Sequence, residues 1–214
     1  MLTSKELLKV FYATLSEELQ NGGYKKKRTL YGGYLFSKEL RNDFVGYIGT
    51  GQSSHGLRGV QYINVLYSLS NQKVQKLLAS LLEVPLNKAY NSMNSLSCLT
   101  PGISYNDLEI CITDEASIIS SVSIIKSYIN KYIEPFFNEN DNWMSYELLL
   151  RSGKLCWYSE KIMLIPIMMY LEGKKDNAIS YIKNLRQHSD KAYNNNILDK
   201  RFLINFGNLL GCEL

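Results

Sequence analysis

Between Thr29 and Leu69 the chain reads as strands in succession, with no helical repeat among them. Three runs, Thr29–Phe36, Asp43–Gly49 and Gly59–Leu69, are rich in Tyr, Val and Ile and are separated by polar or Gly-bearing turns. In Gln61-Tyr62-Ile63-Asn64-Val65-Leu66-Tyr67 polar and apolar positions alternate imperfectly, which suits a half-buried antiparallel strand better than a helix. The stretch Gly49–Gly59, with Gly51, Ser53, Ser54, His55 and Gly56, reads as a hairpin loop.

Helices surround these strands. Thr3 and Glu6 have capping-box spacing, and Leu7, Leu8, Phe11, Leu15 and Leu19 recur at helical intervals until Gly22-Gly23. A short helix is predicted over Asn71–Glu83, followed by a loop-like stretch Pro85–Gly102 and a last strand over Leu108–Ile112. Thr113-Asp114-Glu115 opens a long helix with the apolar stripe Ile118, Val122, Ile125, Ile129 and Ile133, ending near Pro135. Further helices are predicted over Trp143–Leu150, Tyr158–Leu171, Asn177–Arg186 and Leu198–Leu210, with Gly173-Lys174-Lys175 as a tight hairpin and Asn194-Asn195-Asn196 as a linker. The expected fold is α+β, an N-terminal helix on an antiparallel sheet of about four strands, then a helical C-terminal part. Residues 1–137 form the α+β domain, and 138–214 are a helical extension expected to pack on it as one compact unit.

Composition narrows the class. At 45% hydrophobic and 21% charged residues, the chain can bury enough surface to offset the entropy of ordering. No stretch approaches the ~18 consecutive apolar residues of a membrane span, and no basic segment followed by an apolar core marks a secretory signal. A cytoplasmic protein with no membrane partner is the expectation. Cys98, Cys111, Cys156 and Cys212 lack CxxC pairing, and Cys111 and Cys156 read as small packed hydrophobes.

Charge is segregated along the chain. Residues 1–80 carry 11 Lys/Arg against 5 Asp/Glu, residues 81–150 carry 3 against 9, and residues 151–214 carry 10 against 6. A nucleic-acid binder is usually more uniformly basic. The one basic run, Lys25-Lys26-Lys27-Arg28 between Tyr24 and Tyr31, supports two readings: a solvated strand edge, or a cation-and-aromatic platform for a nucleic acid.

No catalytic constellation emerges. His55 and His188 are the only histidines, and His188 reads as a favourable charge at a helix C-terminus. Ser53-Ser54-His55 brings hydroxyls and an imidazole together without a G-x-S-x-G elbow, and the nearby glycines form no phosphate loop. The acids of the middle third contain no calcium loop. They read as helix caps and solvated faces, or as an acidic patch offered to a basic protein, where complementary charge speeds encounter and fixes orientation. Neither a cofactor nor a metal is expected, and no catalytic residue is assigned.

The leading amphipathic helix, Gly22-Gly23-Tyr24-Lys25-Lys26-Lys27-Arg28 in the place of a Gly-Phe-Lys-Lys element, the consecutive strands and Tyr132-Ile133-Glu134-Pro135-Phe136-Phe137 together resemble a bacterial family. It comprises small uncharacterised cytosolic α+β proteins that include immunity proteins of polymorphic or contact-dependent toxin systems, and the resemblance covers roughly residues 5–137. It implies a non-enzymatic partner of a secreted toxin domain, a nuclease among the candidates, whose active site it occludes. Glu109, Glu134, Glu139, Asp141 and Glu147 are the expected toxin-binding acids. The alternative is a nucleic-acid-binding module using Lys25–Arg28, and a third is an enzyme whose first residue to mutate would be His55.

Overall fold

A computed structural model of the chain describes residues 3–28, 34–53, 55, 57, 59–86, 89, 93–152, 154–155, 158–188 and 200–214. The chain divides into two compact units, each assembled from two separate stretches: Met1–Leu69 with Met93–Asp141, and Ser70–Ser92 with Asn142–Leu214.

The first unit is α+β. Helix α1, Ser4–Asn21, opens on the expected capping box: the Thr3 hydroxyl accepts the Glu6 N–H, and the Glu6 carboxylate accepts the Thr3 N–H at 2.8 Å. Its inner face is Leu7, Phe11, Leu15 and Leu19, with Tyr12 beside them. Gly23, at φ 85°, turns the chain into the sheet.

The sheet comprises β1 (Lys25–Arg28), β2 (Tyr34–Glu39), β3 (Phe44–Ser53), β4 (Gln61–Asn71), β5 (Asn94–Ser95) and β6 (Ile110–Ile112). Strands β1 to β4 lie side by side in chain order, and the far edge of β4 is shared. β6 pairs with Gln61–Ile63 and β5 with Leu66–Tyr67, both antiparallel. Among the described residues the sheet has six strands, against the expected four or so. The stretch 85–106 holds β5, which a polar, Asn- and Ser-rich composition gives no reason to expect. Residues 29–33 of the first expected strand lie outside the described residues. The β2–β3 turn is sharp because Asn42 and Asp43 both adopt left-handed φ, 56° and 64°. That conformation matches the twist of a two-residue hairpin, and Asn and Asp tolerate it better than other side chains.

Helix α3, Glu115–Tyr128, is capped by Asp114, whose carboxylate accepts the Ser117 N–H at 2.7 Å. The sequence predicts that the helix ends near Pro135; instead it runs on through a widened turn, Ile129–Ile133, into α4, Glu134–Asn140. Two features explain the continuation. The buried positions Ile125, Ile129, Ile133 and Phe137 are each four residues apart, which would drift off one face at about 3.6 residues per turn. Widening the turn, so that the Glu134 N–H donates to the Ile129 carbonyl, keeps them in line. It also places Pro135, which has no N–H to give, in the first turn of a new helical segment, where that loss costs little.

Helices α1 and α3 pack together, and Lys126 Nζ reaches Glu18 Oε2 at 2.6 Å between them. The Tyr12 and Thr50 hydroxyls meet at 2.9 Å, joining α1 to β3. In β6, Ile110 and Ile112 are buried while Cys111 is exposed. The expectation that Cys111 packs as a small hydrophobe is corrected by strand alternation, which turns it to the other face. Cys156 lies outside the described residues.

The second unit is helical: α2 (Gln72–Leu82), α5 (Trp143–Ser152), α6 (Tyr158–Leu171), α7 (Lys175–His188) and α8 (Lys200–Leu210). Residues 162–168 of α6 are buried without a break, as befits a helix that is apolar all round. Helices α2, α5 and α7 pack on it, and α8 packs on α2. The α6–α7 hairpin is the expected one: Gly173 takes φ 78°, and the Lys174 N–H closes on the Met169 carbonyl at 2.8 Å. Asn205 of α8 donates to the Leu81 carbonyl at 2.8 Å, satisfying one of the acceptors left over at the end of α2. The linker Asn194–Asn196 and the side chain of His188 lie outside the described residues.

Candidate interaction surface

The acids expected to contact a partner are held by separate neighbours, three of the five on α4 or at its end. Asp141, at the end of α4, is buried at 3% exposure. Its carboxylate takes a two-pronged contact from Arg41, at 2.8 Å from Nε and 2.7 Å from Nη2, and its carbonyl accepts from the Asn42 amide. The turn between β2 and β3 is thereby clamped to the end of α4. Glu134 accepts the Tyr24 hydroxyl at 2.6 Å and Lys38 Nζ at 2.8 Å, so it binds the start of the sheet to the start of α4. Glu139 is exposed on α4. Glu147 belongs to the second unit, where it pairs with Arg151 one turn along α5. Asp141 and Glu134 thus serve the fold. Replacing Asp141 with alanine is expected to lower stability by about 2 kcal/mol, because buried hydrogen bonds to a charge are lost while the exposed Arg41 can turn to water. A urea titration checks this, and an unchanged midpoint would mean the clamp contributes nothing.

Glu109 is different. The register of β4 with β6 sets Tyr62 opposite Cys111 and Ile63 opposite Ile110, so the next step brings Asn64 opposite Glu109. Ile63, Ile110 and Ile112 turn one way into the core. Tyr62, Asn64, Glu109 and Cys111 share the other face by alternation. There the Asn64 amide donates to Glu109 Oε1 at 2.8 Å. His55 folds back from the β3–β4 loop, with φ at 45°, and its Nε2 meets Glu109 Oε2 at 2.9 Å. The imidazole also lies edge-on to the Tyr62 ring, with centroids 4.6 Å apart.

The electrostatics follow from these contacts. The hydrogen bond from Asn64, then that from His55, holds the Glu109 carboxyl below its ordinary range. The Tyr105 phenol, 45% exposed, is pushed up by partial burial and by the Glu109 charge close by. Such a carboxylate is a fixed negative charge and a poor proton carrier at neutral pH. Leu57, two residues beyond His55, and Ile103, two before Tyr105, are exposed as well. The cluster is therefore an ionised acid, its own side chain only 9% exposed, set among half-exposed rings, with apolar side chains in the adjoining loop segments. Tyrosine rings anchor protein interfaces, and a charge held in place beside them adds complementarity to a basic partner.

The His55–Glu109 contact has the form of a base and its orienting acid. The Ser53 side chain and Ser54, the hydroxyls nearest in sequence, lie outside the described residues. Among the described residues no group of three or more His, Cys, Asp and Glu is placed to hold a metal ion.

The basic run forms β1. Lys25 Nζ meets Glu39 Oε1 at 2.7 Å, and Lys26 Nζ stands 3.8 Å over the Tyr34 ring. Tyr24 is buried against Glu134 and offers no stacking surface. Tyr31 and the side chains of Lys27 and Arg28 lie outside the described residues.

Sequence reasoning found Glu109 but not Asn64, Tyr62 or Tyr105 as its neighbours. The alternation of Tyr62 with Asn64 and of Glu109 with Cys111 was readable; the register that joins the two pairs is a long-range fact. No helix among the described residues is long and apolar enough to cross a membrane. Comparison with protein-family models, curated proteins and solved structures returns no match.

Proposed function

We propose that this chain is an immunity-type binding protein that neutralises a secreted toxin domain by covering it, with the face around Glu109 seated on the toxin's cationic surface. The observation that carries this reading is the environment of Glu109. Glu134, Asp141 and Glu147 spend their charge on Lys38, Arg41 and Arg151. Glu109, its side chain 9% exposed, is instead held ionised by an amide and an imidazole, beside Tyr62 and the exposed Tyr105, and it acts on a partner through the field of its charge rather than by direct contact. A basic partner, such as the substrate cleft of a nuclease, would find there a charge oriented before contact, which saves ordering cost on binding. The resemblance of residues 5–137 to a family of small α+β proteins that includes immunity proteins points the same way.

The test is co-expression with the protein encoded by the adjacent gene, followed by binding of the purified pair. Wild-type chain should rescue growth from that toxin. Glu109→Lys should weaken binding about 100-fold, the loss typical of a central anchor. Glu147→Lys, in the other unit, should leave binding within about 3-fold. A wild-type chain that fails to protect, or a Glu109→Lys variant that binds as tightly, would remove the reading.

A further inference from the structure

The basic run on β1 has a second property besides its charge. Strand β1 stands at one end of the strand order, and among the described residues it pairs with β2 alone. Its pairing is a straight four-residue register, from Lys25 with Ser37 to Arg28 with Tyr34. Exposed edges are usually blunted by a bulge, a proline or a very short strand as well as by lysines. Lys25–Arg28 has neither a bulge nor a proline; the strand is short, at four residues, and its basic side chains supply the rest of the barrier to another strand. A barrier made of charge is selective: it repels neutral and basic strands by desolvation or like charge, and it attracts an acidic one.

We propose that the outer edge of β1 is a docking edge for an extended acidic segment of a partner protein, which joins the sheet as an added antiparallel or parallel strand. Main-chain hydrogen bonds would supply the affinity, and paired side chains the selectivity. The opposite side of β1 already displays the pairing required. Glu39, on the neighbouring strand two residues beyond Ser37, the residue opposite Lys25, places its carboxylate 2.7 Å from Lys25 Nζ. Both groups are about 70% exposed, so this contact is weak and its lysine can be shared with a second carboxylate. Lys26 is exposed too, and adjacent strand residues face opposite ways, so positive charge is offered on both faces of the edge. An incoming segment with acids at alternate positions meets a cation whichever of the two faces its acids take. The edge does not depend on the surface around Glu109.

The probe is the peptide Glu-Val-Glu-Val-Glu-Val, used with three companions: the same peptide N-methylated at alternate residues, its Lys-Val counterpart, and a single-stranded oligothymidylate of equal charge. N-methylation keeps the charge and removes strand pairing. The acidic peptide should bind the full chain at least about 10-fold more tightly than its N-methylated form, and the Lys-Val peptide should not bind. Bound acidic peptide should slow amide exchange at 25–28. The exposed double variant Lys25→Glu/Lys26→Glu, checked for an unchanged melting curve, should reverse the preference toward the Lys-Val peptide, whereas Glu109→Lys should leave it unchanged. Equal binding of the methylated peptide, or tighter binding of the oligothymidylate, would show a general polyanion surface and overturn the proposal. So would failure of the acidic peptide to bind, which would leave β1 only a guarded edge.

Discussion

Replacing Gly46 with valine is expected to cost about 3 kcal/mol, seen as a fall of about 10 °C in the melting midpoint of the first unit. Gly46 lies inside β3, where glycine ordinarily weakens a strand. Here it is required by what lies above it: a Cβ would stand 2.5 Å from the Phe137 ring, which is fully buried. Phe137 cannot move aside easily, because it sits at the end of the row Ile125, Ile129, Ile133 that the widened helical turn holds against the core. Even Gly46→Ala should destabilise. Combined with Phe137→Leu it should do less harm than the two losses added together, by about 1 kcal/mol. Strict additivity in that double-mutant cycle would show that the ring is not what excludes a side chain at 46.

Raising the pH above about 10 should unfold the protein steeply, through phenols that cannot ionise in place. Tyr24 and Tyr67 are 3% and 1% exposed. Burial pushes both well above the ordinary phenol range, and for Tyr24 the Glu134 carboxylate adds a hydrogen bond and a repulsive charge. Tyr12 is raised as well, mainly by burial. A phenol whose folded pKa exceeds its unfolded one contributes its full stability below the unfolded value and loses it as pH rises toward the folded value. From about pH 10 upward each such group therefore costs about tenfold in the folding equilibrium per pH unit. Tyr24→Phe removes one of them, so its stability should fall less steeply between pH 10 and 12 than that of the wild type. Identical slopes by chemical denaturation at each pH would show that Tyr24 already ionises freely in the folded state.

Local signals in the sequence were sufficient for most elements. Capping residues at Thr3 and Asp114, the Gly22-Gly23 stop and the hairpin at Gly173 mark boundaries through chemistry that acts over a few residues, and the structure follows them. Failures came where distance along the chain intervened. Nothing in Asn94-Ser95 announces a strand; those residues are one because β4 has a vacant edge at Leu66–Tyr67 to receive them. Pro135 is a stop signal in isolation, but the spacing of Ile125, Ile129, Ile133 and Phe137 outweighs it. The acids show the same limit. Sequence distinguishes them only by sign, whereas Arg41 and Lys38, about 100 residues away in the chain, decide that Asp141 and Glu134 are internal struts. His55 was conspicuous from the start, but its contact with Glu109 spans 54 residues and depends on a register that alternation alone does not specify.

The two units interleave along the polypeptide, and this has a consequence for how the molecule is made. A nascent chain emerging from the ribosome cannot finish the α+β unit after Leu69, since β5, β6 and α3 arrive only with residues 93–141. In the meantime α2 has emerged with the apolar residues Val74, Leu78, Leu81 and Leu82, whose companions α6 and α8 are synthesised only from residue 158 onward. Cutting the gene at 141 would therefore not yield a self-sufficient amino-terminal fragment, but one carrying an orphaned helix that invites aggregation or a chaperone.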